Sequence, residues 1–203
     1  ANVTITDSEI SGNRHASTSY SAGGGGVNIW RSPQNYLYKT SVVHISNSLI
    51  ANNSVYKMGG GIGVHLNTHD GKDCSGDMVV LENVQILNNT AEGGGHSGSG
   101  IFYELRGVIA EGGTVGDIIL RGGRNVIAGN HLVSSSGDPL STEQHRQIYF
   151  KPKDTTLPLL SFDGDCAPGR FRRAPEPEFD PSIFRERHAD IHGCLHVCAR
   201  GSY

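Results

Sequence analysis

Five side chains able to bind a transition metal crowd into eleven residues: His188, His192, Cys194, His196 and Cys198. A tetrahedral zinc site takes four nitrogen or sulfur ligands, and the Cys-x-x-x-Cys spacing of Cys194 and Cys198 with nearby histidine is compatible with one. The same cysteines can equally be disulfide halves. The chain has four, Cys74, Cys166, Cys194 and Cys198, and the three pairings they allow are not resolved by sequence. Asp70, Asp73 and Asp77 share one polar loop and could hold Ca²⁺ loosely, although a solvated acidic loop is the plainer reading. No Ser-His-Asp or Cys-His arrangement stands out. His44, His65, His96 and His131 are scattered, as surface and loop histidines are. Trp30 and Tyr103 stand near equivalent ends of related segments. They offer a sugar-stacking face or, more simply, a packed aromatic stack.

Composition narrows the classes. The net charge of −3 lacks the basic surplus of a nucleic-acid binder. No apolar run approaches the roughly 20 residues of a membrane helix, so this segment is not expected to insert. Glycine is 28 of 203 residues, against a usual share of about 7%. The glycines cluster instead of recurring every third residue, which excludes collagen. No glycine patch is followed by Lys-Ser/Thr, so none is a phosphate loop.

The elements that must position these residues repeat along the chain. Val3-Thr-Ile-Thr-Asp-Ser-Glu-Ile-Ser-Gly-Asn13, Val43-His-Ile-Ser-Asn-Ser-Leu-Ile-Ala-Asn-Asn53 and Val79-Val-Leu-Glu-Asn-Val-Gln-Ile-Leu-Asn-Asn89 align without a gap. Ile118 to Asn130 fits with a short insertion. Glycine patches follow at Gly24-Gly-Gly-Val27, Gly59-Gly-Gly-Ile62 and Gly98-Ser-Gly-Ile101, with a weak counterpart at Gln147-Ile148. Each unit reads as three short β-runs, two flanking a bend and one after the glycines.

A unit of this size cannot bury its own apolar face, whereas stacked units share one core. The fold expected is therefore all-β: a parallel β-solenoid of about four coils over residues 1–150. An irregular cysteine-rich tail occupies 151–203, with Leu159 to Phe162 as a last capping strand. Asn13, Asn53, Asn89 and Asn130 are expected to stack at one corner as an amide ladder, in the left-handed conformation that asparagine tolerates. The strand-like start at Ala1, without a leader, leads us to expect a piece of a longer polypeptide.

The repeats resemble right-handed parallel β-helix repeats of the polymorphic outer-membrane-protein type. The resemblance rests on Ile50-Ala-Asn-Asn53 and Ile86-Leu-Asn-Asn89, each followed by Gly-x-Gly-Ile. That type occurs in bacterial surface adhesins and in large surface proteins of protists and algae. Cys166-Ala-Pro-Gly-Arg-Phe171 and Cys194-Leu-His-Val-Cys198-Ala-Arg-Gly-Ser-Tyr203 are similar to ephrin-receptor-like cysteine-rich modules, with a longer spacer. This resemblance implies disulfides in place of zinc. It favours Cys166 with Cys194, leaving Cys198 to pair downstream or with Cys74.

Three N-glycosylation sequons, at Asn2, Asn52 and Asn88, agree with a secreted, cell-surface setting. The alternation of neighbouring side chains would turn Asn52 and Asn88 outward where Asn53 and Asn89 point in. Arg170-Phe-Arg-Arg173 matches a convertase cleavage pattern, or more plainly a solvated basic turn. β-Helices also include pectate lyases and polygalacturonases, but the polygalacturonase motifs Asn-x-Asp, Asp-Asp, Gly-His-Gly and Arg-x-Lys are missing from the sequence. The resemblance thus implies a structural or adhesive segment of a large extracellular assembly, such as a flagellar-hair-like filament, with no catalytic site and no cofactor beyond N-linked glycans. Its partners would be other segments or copies of that assembly. The alternative is a carbohydrate-binding or polysaccharide-cleaving β-helix.

Overall fold

A computed structural model describes residues 2–16, 23–31, 40–56, 58–67, 76–92, 99–106, 116, 118–122, 124–134, 146–151, 160–163, 191–192 and 195–196. Its strands are two to six residues long, and no helix occurs among the described residues. They fall into four successive circuits. The first is β1 (Asn2–Thr6), β2 (Glu9–Ser11), β3 (Arg14–His15) and β4 (Val27–Arg31). The second is β5 (Val42–Ser46), β6 (Leu49–Ala51), β7 (Ser54–Val55) and β8 (Ile62–Asn67). The third is β9 (Met78–Glu82), β10 (Gln85–Leu87), β11 (Thr90–Glu92) and β12 (Ile101–Arg106). The fourth is β13 (Ile118–Arg121), β14 (Val126–Ala128), β15 (His131–Val133) and β16 (Arg146–Lys151). Then come β17 (Leu160–Asp163), β18 (Ile191–His192) and β19 (Leu195–His196).

Equivalent strands pair in parallel between circuits. The first sheet runs β1-β5-β9-β13-β17, and the third runs β3-β7-β11-β15. The second stacks β2-β6-β10-β14 and the fourth β4-β8-β12-β16. Two strands break the rule at one end: β19 joins β14 and β18 joins β16, both antiparallel. The chain visits the same four sheets in the same order on every circuit, an arrangement compatible with a parallel β-helix. Four runs per circuit appear where the sequence pattern yielded three. The extra sheet holds strands of two or three residues just after the ladder asparagines, too short to show an alternation of their own.

The register superimposes like residues. Val3, Val43, Val79 and Ile118 are aligned, as are Ile5, Ile45, Leu81 and Leu120. Ile10, Ile50, Ile86 and Ile127 form a third column, and Val27, Ile62, Ile101 and Ile148 a fourth. The insertion in the last repeat lies between Arg121, which pairs with Glu82, and Val126, which pairs with Gln85. Apart from their first-circuit members these columns are buried and form one core. Val55, Ala91 and Leu132 form a second, smaller cluster.

Corners decide which residue types the repeats need. Between the first and second sheets the bend falls on Asp7, Asn47, Asn83 and Gly122, with φ of 47°, 47°, 54° and 73°. Between the second and third it falls on Gly12, Asn52, Asn88 and Gly129, with φ of 69°, 56°, 55° and 63°. Only Gly, and less readily Asn and Asp, enters this left-handed region cheaply. The residue that bends is thus the one before each ladder asparagine, and Asn13, Asn53, Asn89 and Asn130 have negative φ. This corrects the expectation that the ladder residues themselves take the left-handed turn.

Burial sets a gradient along the stack. Ile86 is fully buried, while Val3 in the first circuit is 46% exposed. Ile86→Ala should cost about 4 kcal/mol and Val3→Ala less than about 0.5 kcal/mol. Urea unfolding of the two variants against the parent checks this difference.

Candidate functional site

At the corner entering the third sheet, the bend leaves one backbone N–H of each circuit without a carbonyl opposite. A side-chain oxygen from the next circuit takes its place. Asn13 N–H and Nδ2–H both donate to Asn53 Oδ1, each at 3.0 Å. Asn53 donates to Asn89 Oδ1 at 2.9 and 3.0 Å, and Asn89 to Asn130 Oδ1 at 2.9 Å twice. The second amide hydrogen turns the other way. Asn53 Nδ2 donates to Ile10 O, Asn89 Nδ2 to Ile50 O and Asn130 Nδ2 to Ile86 O, at 2.9 to 3.0 Å. Each internal carboxamide therefore uses its oxygen twice and both of its hydrogens. That is why Asn53, Asn89 and Asn130 can be buried without penalty.

Gln147 ends this column. Gly26, Gly61 and Gly100 open the fourth-sheet strands, and a Cβ at Gly61 would meet Gly100 O and Ile86 Cγ2, each at 2.7 Å. No side chain fits there while another circuit follows. In the fourth circuit that position is Gln147, beside Ile148 in register with Ile101. Its Oε1 accepts Asn130 N–H at 3.2 Å and Nδ2–H at 2.7 Å, and its Nε2 donates back to Asn130 O at 3.0 Å. The sequence pattern placed Gln147 in the repeat but not in this role. The signal was there: a glutamine where three glycines precede it.

The corner between the first and second sheets carries a looser version. Ser8 N–H donates to Ser48 Oγ at 3.2 Å, and Val84 N–H to Asn125 Oδ1 at 2.9 Å. Sequence reasoning missed Ser48 and Asn125 because the acceptor type changes from circuit to circuit. Outside this corner Asn83 Nδ2 donates to Asn47 Oδ1 at 3.3 Å. An open groove of about 590 Å³ runs there across the circuits, lined among others by Asp7, Glu9, Asn47, Asn83, Gln85 and Arg124.

The sequon asparagines Asn2, Asn52 and Asn88 are all exposed. Asn52 and Asn88 occupy successive circuits of one corner, about 4.8 Å apart along the stack. Cys74, Cys166, Cys194 and Cys198 lie outside the described residues, as do Asp70, Asp73, His96, His188 and Arg170 to Arg173. Asp77 is buried, not part of a solvated loop, and its Oδ1 accepts Ser41 N–H at 2.7 Å. Among the described residues no three His, Cys, Asp or Glu side chains converge as metal ligands.

Two histidines depart from the surface role expected of them. His44 is half-buried and meets Glu82 at 3.1 Å. His65 is 1% exposed, with Nδ1 3.2 Å from Glu104 Oε2. Its Nε2 makes no hydrogen bond and lies against Gly23. Trp30 is one residue out of phase with Tyr103, so the two do not stack. Trp30 aligns with His65 and Glu104, with ring centroids 5.2 Å apart from His65. Tyr103 aligns with Ile29 and Val64 inside the core and donates its hydroxyl to Gly116 O at 2.8 Å.

No protein-family model, curated protein or solved structure matches this chain. The ladder itself is open to test. Asn89→Ala strips partners from Asn53, Asn130 and Ile50 O inside the core and should cost about 4 kcal/mol, whereas exposed Asn13→Ala should cost about 1 kcal/mol. Equilibrium denaturation of both variants measures the difference.

Proposed function

We propose that this chain is a rigid, non-catalytic stretch of right-handed parallel β-helix followed by a cysteine-rich tail. It serves as a structural or adhesive segment of a large extracellular surface or filament protein of the protist or algal kind. The observation that carries this reading is the amide ladder from Asn13 to Gln147, which commits the buried carboxamides to one another and to the backbone. A solenoid held this way resists bending, and its length grows with the number of circuits. The exposed sequon residues Asn52 and Asn88 agree with it, since both present their side chains to solvent at a corner.

Intact and peptide mass spectrometry of the native, non-reduced protein, with and without glycosidase, tests this reading. N-glycan at Asn52 or Asn88 and disulfide-linked cysteines are the expected result. An unmodified 21.7 kDa chain with free thiols overturns it.

The groove beside Asn47 and Asn83 favours one second reading, a carbohydrate-binding surface. Carboxamides, carboxylates and a guanidinium along an open channel are the groups that hydrogen-bond sugar hydroxyls. Glycan-array binding separates the two readings. The scaffold reading places no sugar in this groove, so any glycan binding by the segment is unchanged in Arg124→Ala. The carbohydrate reading expects binding that falls at least about tenfold in Arg124→Ala, the loss of roughly one charged hydrogen bond.

A further inference from the structure

Among the described residues the more deeply buried of the two histidine–carboxylate pairs is His65 with Glu104. In β8 Ile62 and Val64 point into the core, so Gly63 and His65 point away from it. His65 is nevertheless 1% exposed. Its ring meets Trp30 on β4 and Phe102 on β12, with centroids 5.2 and 5.6 Å away. The two ring nitrogens have different settings. Nδ1 is 3.2 Å from Glu104 Oε2, and Glu104 is itself buried. A carboxylate only accepts, so Nδ1 carries the hydrogen of the neutral ring. Nε2 is then a bare acceptor, and no hydrogen bond reaches it among the described residues.

Glycine is what closes Nε2 off. A Cβ at Gly23 would run into His65 Nε2, and one at Gly63 would run into Gly24 N and Gly23 C. Bare backbone therefore covers β8 here, in contact with the ring. It is held to the second circuit by a short set of main-chain contacts. Gly23 bridges Met58, Gly24 N–H donates to Met58 O at 2.9 Å, and Gly25 N–H donates to Gly59 O at 2.9 Å.

A proton added at Nε2 acts differently on the two sides of the ring. Toward Glu104 it turns the existing hydrogen bond into a charge-assisted one, which keeps the ring seated. Toward Gly23 it creates a buried N–H with nothing to receive it, and an unmatched buried donor is costly. The neighbours supply no second acceptor. Of Trp30, Phe102, Gly23 and Glu104, Glu104 alone is charged, and β8 holds no other ionisable residue. The register position beyond Glu104 is Lys151 on β16, a cation that donates.

We propose that residues Gly23 to Gly25 form an acid-released latch on the fourth sheet. Protonation of His65 lifts the latch from β8, water accepts the new Nε2–H, and Glu104 holds the ring in place. The sign follows from linkage. The lifted state binds a proton that the closed state does not accommodate, so release grows as pH falls. Histidine ordinarily gains its charge between about pH 8 and about pH 5, which sets the range to search. The latch needs only the sheet and its glycine cover, and does not rest on the scaffold role.

Amide exchange read by NMR tests it. From about pH 8 to about pH 5, exchange at Gly24 and Gly25, corrected for its intrinsic pH dependence, is expected to rise at least about tenfold, with Ile50 and Ile86 unchanged. His65→Gln keeps a donor for Glu104 and does not titrate, so the rise is expected to vanish in it. Unchanged exchange at Gly24 and Gly25 in the parent overturns the proposal. A rise that persists in His65→Gln overturns it too, since His44 or another group would then be the cause. Should that variant not fold, the parent decides alone. The His65 Cε1–H resonance must titrate with the same midpoint as the Gly24 exchange, and a mismatch overturns the latch.

Discussion

The structure depends on one substitution of hydrogen-bond partners. A chain that turns sharply between short parallel strands interrupts the backbone ladder at the turn, and the interrupted N–H lies inside. Burying it unpaired would cost about 1–3 kcal/mol in every circuit. The carboxamide of the next circuit supplies the missing acceptor, and its own hydrogens are absorbed by carbonyls and amides on both sides. Few side chains do this. Serine has one hydrogen and less reach, as the Ser8–Ser48 contact at the neighbouring corner illustrates. Aspartate has the acceptor but lacks both donors.

The same constraint shapes the opposite wall. The carboxamides and the isoleucine column fill the interior so closely that the strands of the fourth sheet can be approached only by glycine. Gly26 and Gly100 meet the Asn53 and Asn130 amides at 2.8 and 2.9 Å from a would-be Cβ. Glycine patch and asparagine are thus two halves of one packing arrangement, separated in sequence and adjacent in space. Gln147 follows from the same geometry: where no fifth asparagine arrives, room for a side chain returns. On the far face of the fourth sheet the demand differs, and His65 and Glu104 answer each other across neighbouring strands.

Much of this was legible in the residues. The periodic Val-x-Ile and Ile-x-x-Asn segments gave the strand register and the alignment of Asn13, Asn53, Asn89 and Asn130, because a parallel stack maps sequence repeat onto spatial neighbour. The third sheet was not legible, since two residues such as Ser54–Val55 carry no period. The left-handed turn was assigned to the wrong asparagine of each Asn-Asn pair: both types of position favour Asn, for different reasons, and only the backbone separates them. Burial of His65 and Asp77 escaped because neither lies in a repeated position of like residues. A lone polar residue in a solenoid has no column to betray which way it points.

A stack built of pairings between circuits has no sheet contact between consecutive strands among the described residues. Asparagine partners along the ladder are 36 to 41 residues apart, and no described strand pairs with its sequence neighbour as in a hairpin. Closing a loop of that length costs about 3 kcal/mol of chain entropy, and the first closure must be met with no template beside it. Each later circuit condenses onto a formed edge that already displays oriented amides and an apolar ledge. Folding of such a chain is therefore governed by one slow, non-local nucleation followed by faster propagation, as in a one-dimensional crystal. From whichever circuits nucleate, propagation can run along the stack to either side.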